Sequence, residues 1–210
     1  MDTLEKLFGS ASRLKLLKLF LMNPESQFSF EAACRQSGVR AGQFRAEVTR
    51  LMQMRLVRTA YVRLPQLQKQ KSSKSIRLVR TKVFFVNQDF PLYSELRTLM
   101  LKSAPHAKGQ LAEKIKRLGN IKLALLSGIF IDNPNARVDL LLVGDGFRRT
   151  RMNAFIRWLE VEFGKQLNYV AMSSQEFRYR MDMYDRFLRD ILESPHEAVI
   201  NKLGVGVKIP

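Results

Sequence analysis

Hydrophobic residues recur at three- and four-residue steps along residues 4–21 of the chain. This spacing is typical of an amphipathic helix, and Asn23-Pro24 predicts its end because proline disfavours helical backbone in the residue before it. The same periodicity returns in two shorter segments, residues 30–36 and 40–54, on either side of a tight turn at residues 37–39. The first quarter of the chain is therefore predicted to be a helix followed by two helices around a turn.

Beyond Arg55 the pattern changes to β-branched and aromatic residues in alternation and short apolar runs. It predicts two strands, Val57–Leu64 and Ile76–Val86, joined by a polar, basic loop that is too long for a tight turn. Helix, turn, helix and β-hairpin follow one another in the order of a winged helix-turn-helix. We therefore predict a winged helix-turn-helix DNA-binding domain over residues 1–88.

The charge of the chain is concentrated in this part. Residues 28–82 contain 13 Lys and Arg against two Glu, and so carry +11 of the net +17. A pI near 10.4 indicates a polyanionic partner, and the helical pattern favours double-stranded DNA over an anionic membrane surface or an ordinary solvated face. No apolar run approaches the ~20 residues of a membrane span, so we expect no membrane partner.

The helix predicted at residues 40–54 has an apolar face and a polar, cationic face. The N-terminal turns of a recognition helix lie closest to base edges, and Arg and Gln pair bidentately with guanine and adenine. An ordinary solvent-facing helix surface is the alternative. On the DNA-binding interpretation, the predicted base contacts are Arg40, Ala41, Gln43 and Arg45.

Residues farther along this helix and on the hairpin are predicted to hold the phosphate backbone, where cations release counterions and fix the register on the duplex. The basic tip of the hairpin suits the wing of such a domain. The predicted phosphate contacts are Thr49, Arg50, Arg63, Lys69, Lys71, Lys74 and Arg77.

The second half of the chain alternates apolar strands with helices, which predicts a small α/β domain over residues 110–210. Residues 89–109 are predicted as a connecting helix and a linker, with the linker at 104–109. In the second domain we predict strands at IKLALL, VDLLLV and LNYVAMS and helices over 147–164 and 174–192. The expected fold class of the whole chain is α+β.

Ser127-Gly128 follows the first of these strands, and the second strand lies in VDLLLVGD. This arrangement resembles the small nucleotidyltransferase domain, which carries Gly-Ser after one strand and Asp-x-Asp at the next. The resemblance implies a vestigial nucleotide site at Ser127, Gly128 and Asp139. Paired carboxylates hold Mg²⁺ in that family, but Arg137 stands at the first position here. We therefore expect an inactive domain with no catalytic residues, no metal and no cofactor.

Over nearly its full length the chain resembles a group of prokaryotic transcriptional regulators. They join a winged helix-turn-helix of the arsenic-repressor type to a degenerate nucleotidyltransferase-like domain. One departure is Arg55, where such winged helices usually carry Gly before the Leu-Val that opens the wing. The resemblance implies a sequence-specific DNA-binding regulator that acts as a homodimer, with its C-terminal domain in assembly or nucleotide sensing.

Two other functions stay open at this point. One is a nucleotidyltransferase enzyme with a nucleic-acid-binding domain, and the other is a module that binds structured RNA or a toxin-type partner. The single cysteine, Cys34, excludes an internal disulfide and suits a reducing compartment, so we expect a cytoplasmic protein.

Overall fold

The computed structural model describes residues 3–69, 74–103, 105–131, 133 and 135–206, with side chains except at 3, 66–69, 74–77, 102–103 and 105–110. The protein is a mixed α+β structure with two small sheets, which confirms the expected class at this level. It divides into two compact units. Unit 1 comprises Met1–Ser103 with Glu160–Lys165, and unit 2 comprises Ala104–Leu159 with Gln166–Pro210. No helix in the described ranges is long and apolar enough to cross a bilayer.

Unit 1 contains five helices and three strands in its described N-terminal part, and their order along the chain is helix, helix, strand, helix, helix, hairpin, helix. Their bounds are α1 Thr3–Phe8, α2 Ala11–Met22, β1 Phe28–Ser29, α3 Phe30–Ser37, α4 Ala41–Gln53, β2 Val57–Lys69, β3 Lys74–Val86 and α5 Tyr93–Ser103.

The first predicted helix is two helices in the structure. Gly9 separates them with a φ of +66°, a left-handed conformation that glycine adopts at little cost. Ser10 then caps α2, because its side chain accepts a hydrogen bond from the Arg13 N–H at 3.2 Å. The periodicity continues across this break, so the pattern alone predicts one helix where the chain forms two.

The helix pair α3 and α4 forms where the sequence predicts it. Ser29 caps α3 by accepting from the Ala32 N–H at 3.2 Å, and Gly38 ends α3 with a φ of +64°. Helix α4 buries Phe44, whose ring meets the rings of neighbouring elements edge-on at centroid distances of 5.3 and 5.4 Å. The apolar side of α4 thus packs into the core of unit 1 and leaves its other side outward.

The strands of unit 1 form a sheet in the order β1-β3-β2, with antiparallel pairing throughout. The hairpin of β2 and β3 is longer than predicted, because both strands continue through residues assigned to the loop, as far as the pair of Lys69 with Lys74. The predicted strand ends at Leu64 and Ile76 are therefore wrong. The residues added to the strands are mostly Gln, Lys and Ser, with only Leu67 opposite Ile76 as an apolar pair, so the sequence there shows no sustained hydrophobic alternation.

Arg55 lies in the short turn between α4 and β2 and has a φ of +63°, in the left-handed region that non-glycine residues rarely occupy. The position where winged helices usually carry glycine thus has the backbone conformation that glycine favours. Asn87 is buried and its amide donates to the Arg55 carbonyl at 2.9 Å, which holds the turn in place.

Unit 2 places helices around a mixed sheet in the order β6-β5-β4-β7, where β5 and β6 are parallel and the other pairs antiparallel. The elements of this part of the chain are α6 Pro105–Lys116, β4 Asn120–Leu126, a 3-10 helix Gly128–Phe130, β5 Leu140–Asp145, α7 Arg149–Phe163, β6 Tyr169–Met172, α8 Ser174–Asp182, α9 Arg186–Glu193 and β7 Glu197–Asn201. The last residues of α7, from Glu160, belong to unit 1.

Two predictions for this half of the chain need correction. Residues 105–109, which we predicted as linker, are helical and belong to α6. The helix predicted over 174–192 is broken into α8 and α9 at Tyr184, which has a φ of +51°. Asp185 then caps α9 by accepting from the Leu188 N–H at 2.8 Å.

Candidate nucleic-acid interface

The outer face of α4 is polar and solvent-exposed, as its period predicts. Arg40 lies at the N-cap position with extended backbone and no side-chain capping bond, and Ala41 is the first helical residue. Phe44, Val48 and Leu51 are buried on the opposite side of the helix. The exposed residues of this face are Arg40, Ala41, Gly42, Gln43, Arg45, Ala46, Thr49 and Arg50.

Some of these side chains already have partners within unit 1. The Arg45 guanidinium lies 4.9 Å from the centre of the Phe30 ring, a cation–π contact that holds it against α3. The carbonyl oxygen of the Gln43 amide accepts from the Ser12 hydroxyl at 3.2 Å. An exposed bond of this kind costs little to exchange, so Gln43 is oriented but still available to a base edge.

The Thr49 hydroxyl donates to the Arg45 carbonyl at 2.8 Å, one turn back along α4. A phosphate oxygen is an acceptor, so Thr49 must release this bond before it donates to a phosphate. Of the two predicted phosphate contacts on α4, Thr49 therefore has its donor directed into the helix, while Arg50 keeps a largely exposed side chain.

Glu47 is the buried acid of α4 and organises the cations around it. Its carboxylate accepts from Arg13 Nε of α2 at 2.9 Å and from Arg50 Nη1 at 2.8 Å. Burial raises the pKa of Glu47, but the hydrogen bond and charge of Arg13, with Ser10 and Arg50, outweigh burial and hold this pKa below its ordinary value of 4.5. Glu47 thus neutralises part of the basic cluster and links α2 to α4.

One face of the β2–β3 hairpin is exposed and basic. Directly opposed residues of antiparallel strands point to the same side, and the register pairs Tyr61 with Lys82, Arg63 with Arg80 and Pro65 with Leu78. We call these six residues the hairpin face. Tyr61 and Leu78 are 60% and 61% exposed, so large apolar side chains stand among three cations with no acid among them.

Within the hairpin face the Arg80 guanidinium lies 4.5 Å from the centre of the Tyr61 ring. Arg63 stands directly opposite Arg80, and like charges at such a position are destabilising unless an anion lies between or beside them. The hairpin face is therefore electrostatically suited to a polyanion such as a phosphate backbone.

Arg63 was predicted from the sequence as a phosphate contact, but Arg80 and Lys82 were missed. Their spacing of two along a strand was a usable signal, since it puts both on one face. The remaining predicted contacts are not settled by the structure. The side chains of Lys69, Lys74 and Arg77 lie outside the described residues, and Lys71 lies outside them entirely.

In the predicted nucleotide site of unit 2, the Asp139 carboxylate is surrounded by backbone N–H donors. This residue is buried, and its Oδ1 accepts from the Ile129 N–H at 2.9 Å while its Oδ2 accepts from the Asn168 N–H at 2.8 Å. Both carboxylate oxygens are thus bonded to backbone. A Cβ added at Gly128 would lie 2.0 Å from Asp139 Oδ1, so the glycine is required by this close contact. Ser127 is buried beside it.

Arg137 does not point a free guanidinium into this site, because its Nη2 forms an ion pair with Asp190 of α9 at 2.7 Å. Among the described side chains no group of three His, Cys, Asp or Glu residues is arranged to hold a metal ion. In this geometry Ser127, Gly128 and Asp139 form part of a turn that is stabilised by hydrogen bonds.

Comparison with protein-family models, with curated proteins and with solved structures found no match to this chain. The class that the fold and charge define is an α+β protein with an exposed basic surface on unit 1. Its relation to winged helix-turn-helix regulators and to nucleotidyltransferases stays a prediction from the residues themselves.

Proposed function

We propose that the protein is a sequence-specific, double-stranded-DNA-binding transcriptional regulator whose reader is unit 1. The observation that carries the proposal is the polar face of α4, which holds Arg40, Gln43 and Arg45 outward while Phe44 anchors the helix in the core. The strand order β1-β3-β2 with α3 and α4 between β1 and β2 is compatible with a winged helix-turn-helix.

In the proposed complex α4 enters the major groove and its N-terminal turns contact base edges. Arg40 and Arg45 would pair with guanine, and Gln43 with adenine after exchanging its bond to Ser12. The hairpin face, with Arg63 and two further cations, would lie along the flanking phosphate backbone. A dimer would place two such readers on a palindromic site.

Unit 2 is proposed to serve assembly or ligand sensing rather than catalysis. A metal-dependent nucleotidyl transfer needs carboxylates free to hold a dication. Both oxygens of Asp139 are instead bonded to backbone N–H groups, and Arg137 stands where a second carboxylate would be needed. These bonds favour a structural role for the acid and disfavour the enzyme as the function of the chain.

The experiment that tests the proposal begins with selection of bound sites from a random duplex library. Binding of the selected duplex is then measured by fluorescence anisotropy over a range of salt concentrations. We expect the logarithm of the affinity to fall linearly with the logarithm of salt. Arg40→Ala and Arg45→Ala should each lose ~1–3 kcal/mol of discrimination between the selected duplex and a scrambled one.

Arg97→Ala is the matched control, because Arg97 is exposed on α5 of the same unit and lies outside both proposed contact surfaces. Its affinity and discrimination should equal those of the parent protein. The proposal fails if no sequence is enriched, if neither arginine variant changes discrimination, or if structured RNA displaces the selected duplex at equal concentration. A palindromic consensus would support the dimer, and a single asymmetric half-site would contradict it.

A further inference from the structure

A recess in unit 2 lies between α6 and α7 and has a volume of about 740 Å³. Its cations come from the end of α6 and from α7, and its aromatic rings come from α7. Pockets of ~300–1,000 Å³ are of the size that takes small ligands. The residues that the argument uses are Lys114, Lys116, Arg117, Arg151, Phe155 and Trp158.

The recess is strongly basic. Four cations line it, and no acid is among its lining residues. Glu113 forms an ion pair with Lys116 at 2.7 Å and also interacts with the charge of Arg117, while Arg117 and Arg151 are both exposed residues. The Arg151 guanidinium lies 3.5 Å from the Arg117 carbonyl oxygen, so the two residues lie next to each other on the rim. A guanidinium group binds phosphate oxygens through paired N–H donors, so these two residues supply the donors that a phosphate group needs.

Two aromatic residues, Phe155 and Trp158, also line the recess. Phe155 and Trp158 have ring centres 6.0 Å apart, and the Lys114 ammonium lies 4.4 Å from the centre of the Trp158 ring. Trp158 is only half-buried, so part of the indole is open to the recess. Bases stack on aromatic side chains. A base on this face of Trp158 would take the place of the Lys114 ammonium, which would then be available to the anionic part of the ligand.

We propose that this recess binds a nucleoside phosphate, with the base against Trp158 and the phosphates against Arg117 and Arg151. Cations together with one open indole select a ligand that is both planar and anionic, and the volume favours a mononucleotide over a polymer. The site differs from the one predicted at Ser127, Gly128 and Asp139, and it does not depend on whether unit 1 binds DNA.

The chain contains a single tryptophan, so fluorescence excited at a wavelength that indole absorbs and tyrosine does not reports on this recess alone. The full-length protein is titrated with ATP and GTP, and in parallel with adenosine and with inorganic triphosphate. The expected result is saturable quenching by at least one nucleotide, with an affinity at least tenfold above that of adenosine or triphosphate. Absence of saturable quenching, or equal affinity for triphosphate alone, would overturn the proposal.

Variants then separate this recess from any other nucleotide contact. Arg117→Ala with Arg151→Ala should weaken nucleotide binding at least tenfold, while Arg157→Ala, which removes an exposed arginine of α7 outside the recess, should leave it unchanged. Trp158→Ala is followed by equilibrium dialysis with labelled nucleotide and should also lose affinity. Equal binding by the parent, the double variant and the control contradicts the proposal, as does binding of single-stranded oligonucleotides without mononucleotides.

Discussion

Glu47 in unit 1 and Asp139 in unit 2 are both buried carboxylates beside residues that the sequence marks for function, yet their partners differ in kind. Glu47 is bonded to two arginine side chains, whose guanidinium groups reach the surface of unit 1. Asp139 is bonded to two backbone N–H groups from residues 10 and 29 positions away in the chain. Glu47 therefore positions two partly exposed arginines, whereas Asp139 stabilises a turn.

The comparison of Glu47 with Asp139 shows that the role of a buried acid is better judged from its hydrogen-bond partners than from its residue type. A buried carboxylate whose two oxygens both accept from backbone N–H groups has part of its acceptor capacity already in use and is shielded from a metal or a substrate. A carboxylate bonded to partly exposed arginine side chains leaves those cations partly available to a ligand. Two experiments test this comparison and a third tests the exposed basic surface of unit 1. They are given from the largest expected effect to the smallest.

Asp139→Asn is expected to have the largest effect. Asparagine replaces one acceptor oxygen with an NH₂ donor, so either the Ile129 or the Asn168 N–H is left facing another donor. We expect a loss of ~2–3 kcal/mol in the free energy of unfolding, measured by urea denaturation.

Asp182→Asn is the control for this substitution, because Asp182 is an exposed carboxylate in the same unit, and it should change stability by less than ~0.5 kcal/mol. The structural role of Asp139 is refuted if Asp139→Asn leaves the free energy of unfolding unchanged. It is also refuted if the parent protein incorporates labelled nucleotide with Mg²⁺ and the variant does not.

Glu47→Gln should cost somewhat less, ~1–2 kcal/mol, because its arginine partners are partly solvent-exposed. Glu31→Gln, an exposed acid on α3, serves as the control. The pKa of Glu47 is lowered in the folded protein, so its contribution is present above about pH 4.5 and is lost as the pH falls through the lowered value. The difference between parent and variant in urea denaturation should therefore shrink below about pH 4.5, and a constant difference would refute this role.

The third substitution removes the cations of the hairpin face, Arg63, Arg80 and Lys82, as a triple alanine variant. We expect about tenfold weaker binding to every duplex and a salt slope reduced by ~2–3, since each lost phosphate contact releases about one counterion fewer. Discrimination between duplexes should not change, because phosphate contacts carry no sequence information.

Arg58→Ala is the control for the hairpin, because Arg58 points to the other side of β2 and pairs with Asp89. A triple variant that binds with unchanged affinity, or that loses discrimination instead of affinity, would show that the hairpin face is not a backbone contact. Thermal stability of the triple variant should not fall, since the substitution removes the opposition of Arg63 and Arg80.

The local parts of the fold could be predicted from the sequence, because they are encoded by residues three or four positions apart. The outer face of α4 follows from the period of Phe44, Val48 and Leu51 on its buried side. The hairpin was predicted from β-branched and aromatic residues. Its length was not predicted, because the sequence of the distal strand segments is mostly Gln, Lys and Ser.

The features that the sequence did not predict depend on contacts between residues far apart in the chain, or on proline and glycine residues that a helix accommodates. Pro105 and Gly109 suggested a linker, although proline suits the first turn of a helix and α6 begins at Pro105. The closure of Asp139 by Ile129 and Asn168 joins three separate segments, so no spacing in the chain reveals it. The break at Tyr184 lacks the Gly or Pro that usually marks one.

Arg55 has a consequence for how unit 1 would engage a duplex. Its left-handed backbone is held by Asn87, and a non-glycine residue in this region has only a narrow range of φ and ψ open to it. These features restrict the turn that joins α4 to the hairpin. A glycine at this position would allow the hairpin to move relative to α4, and this conformational freedom would be lost on binding. If unit 1 binds a duplex as proposed, this restricted backbone would lower the conformational entropy lost when α4 and the hairpin contact the same rigid partner.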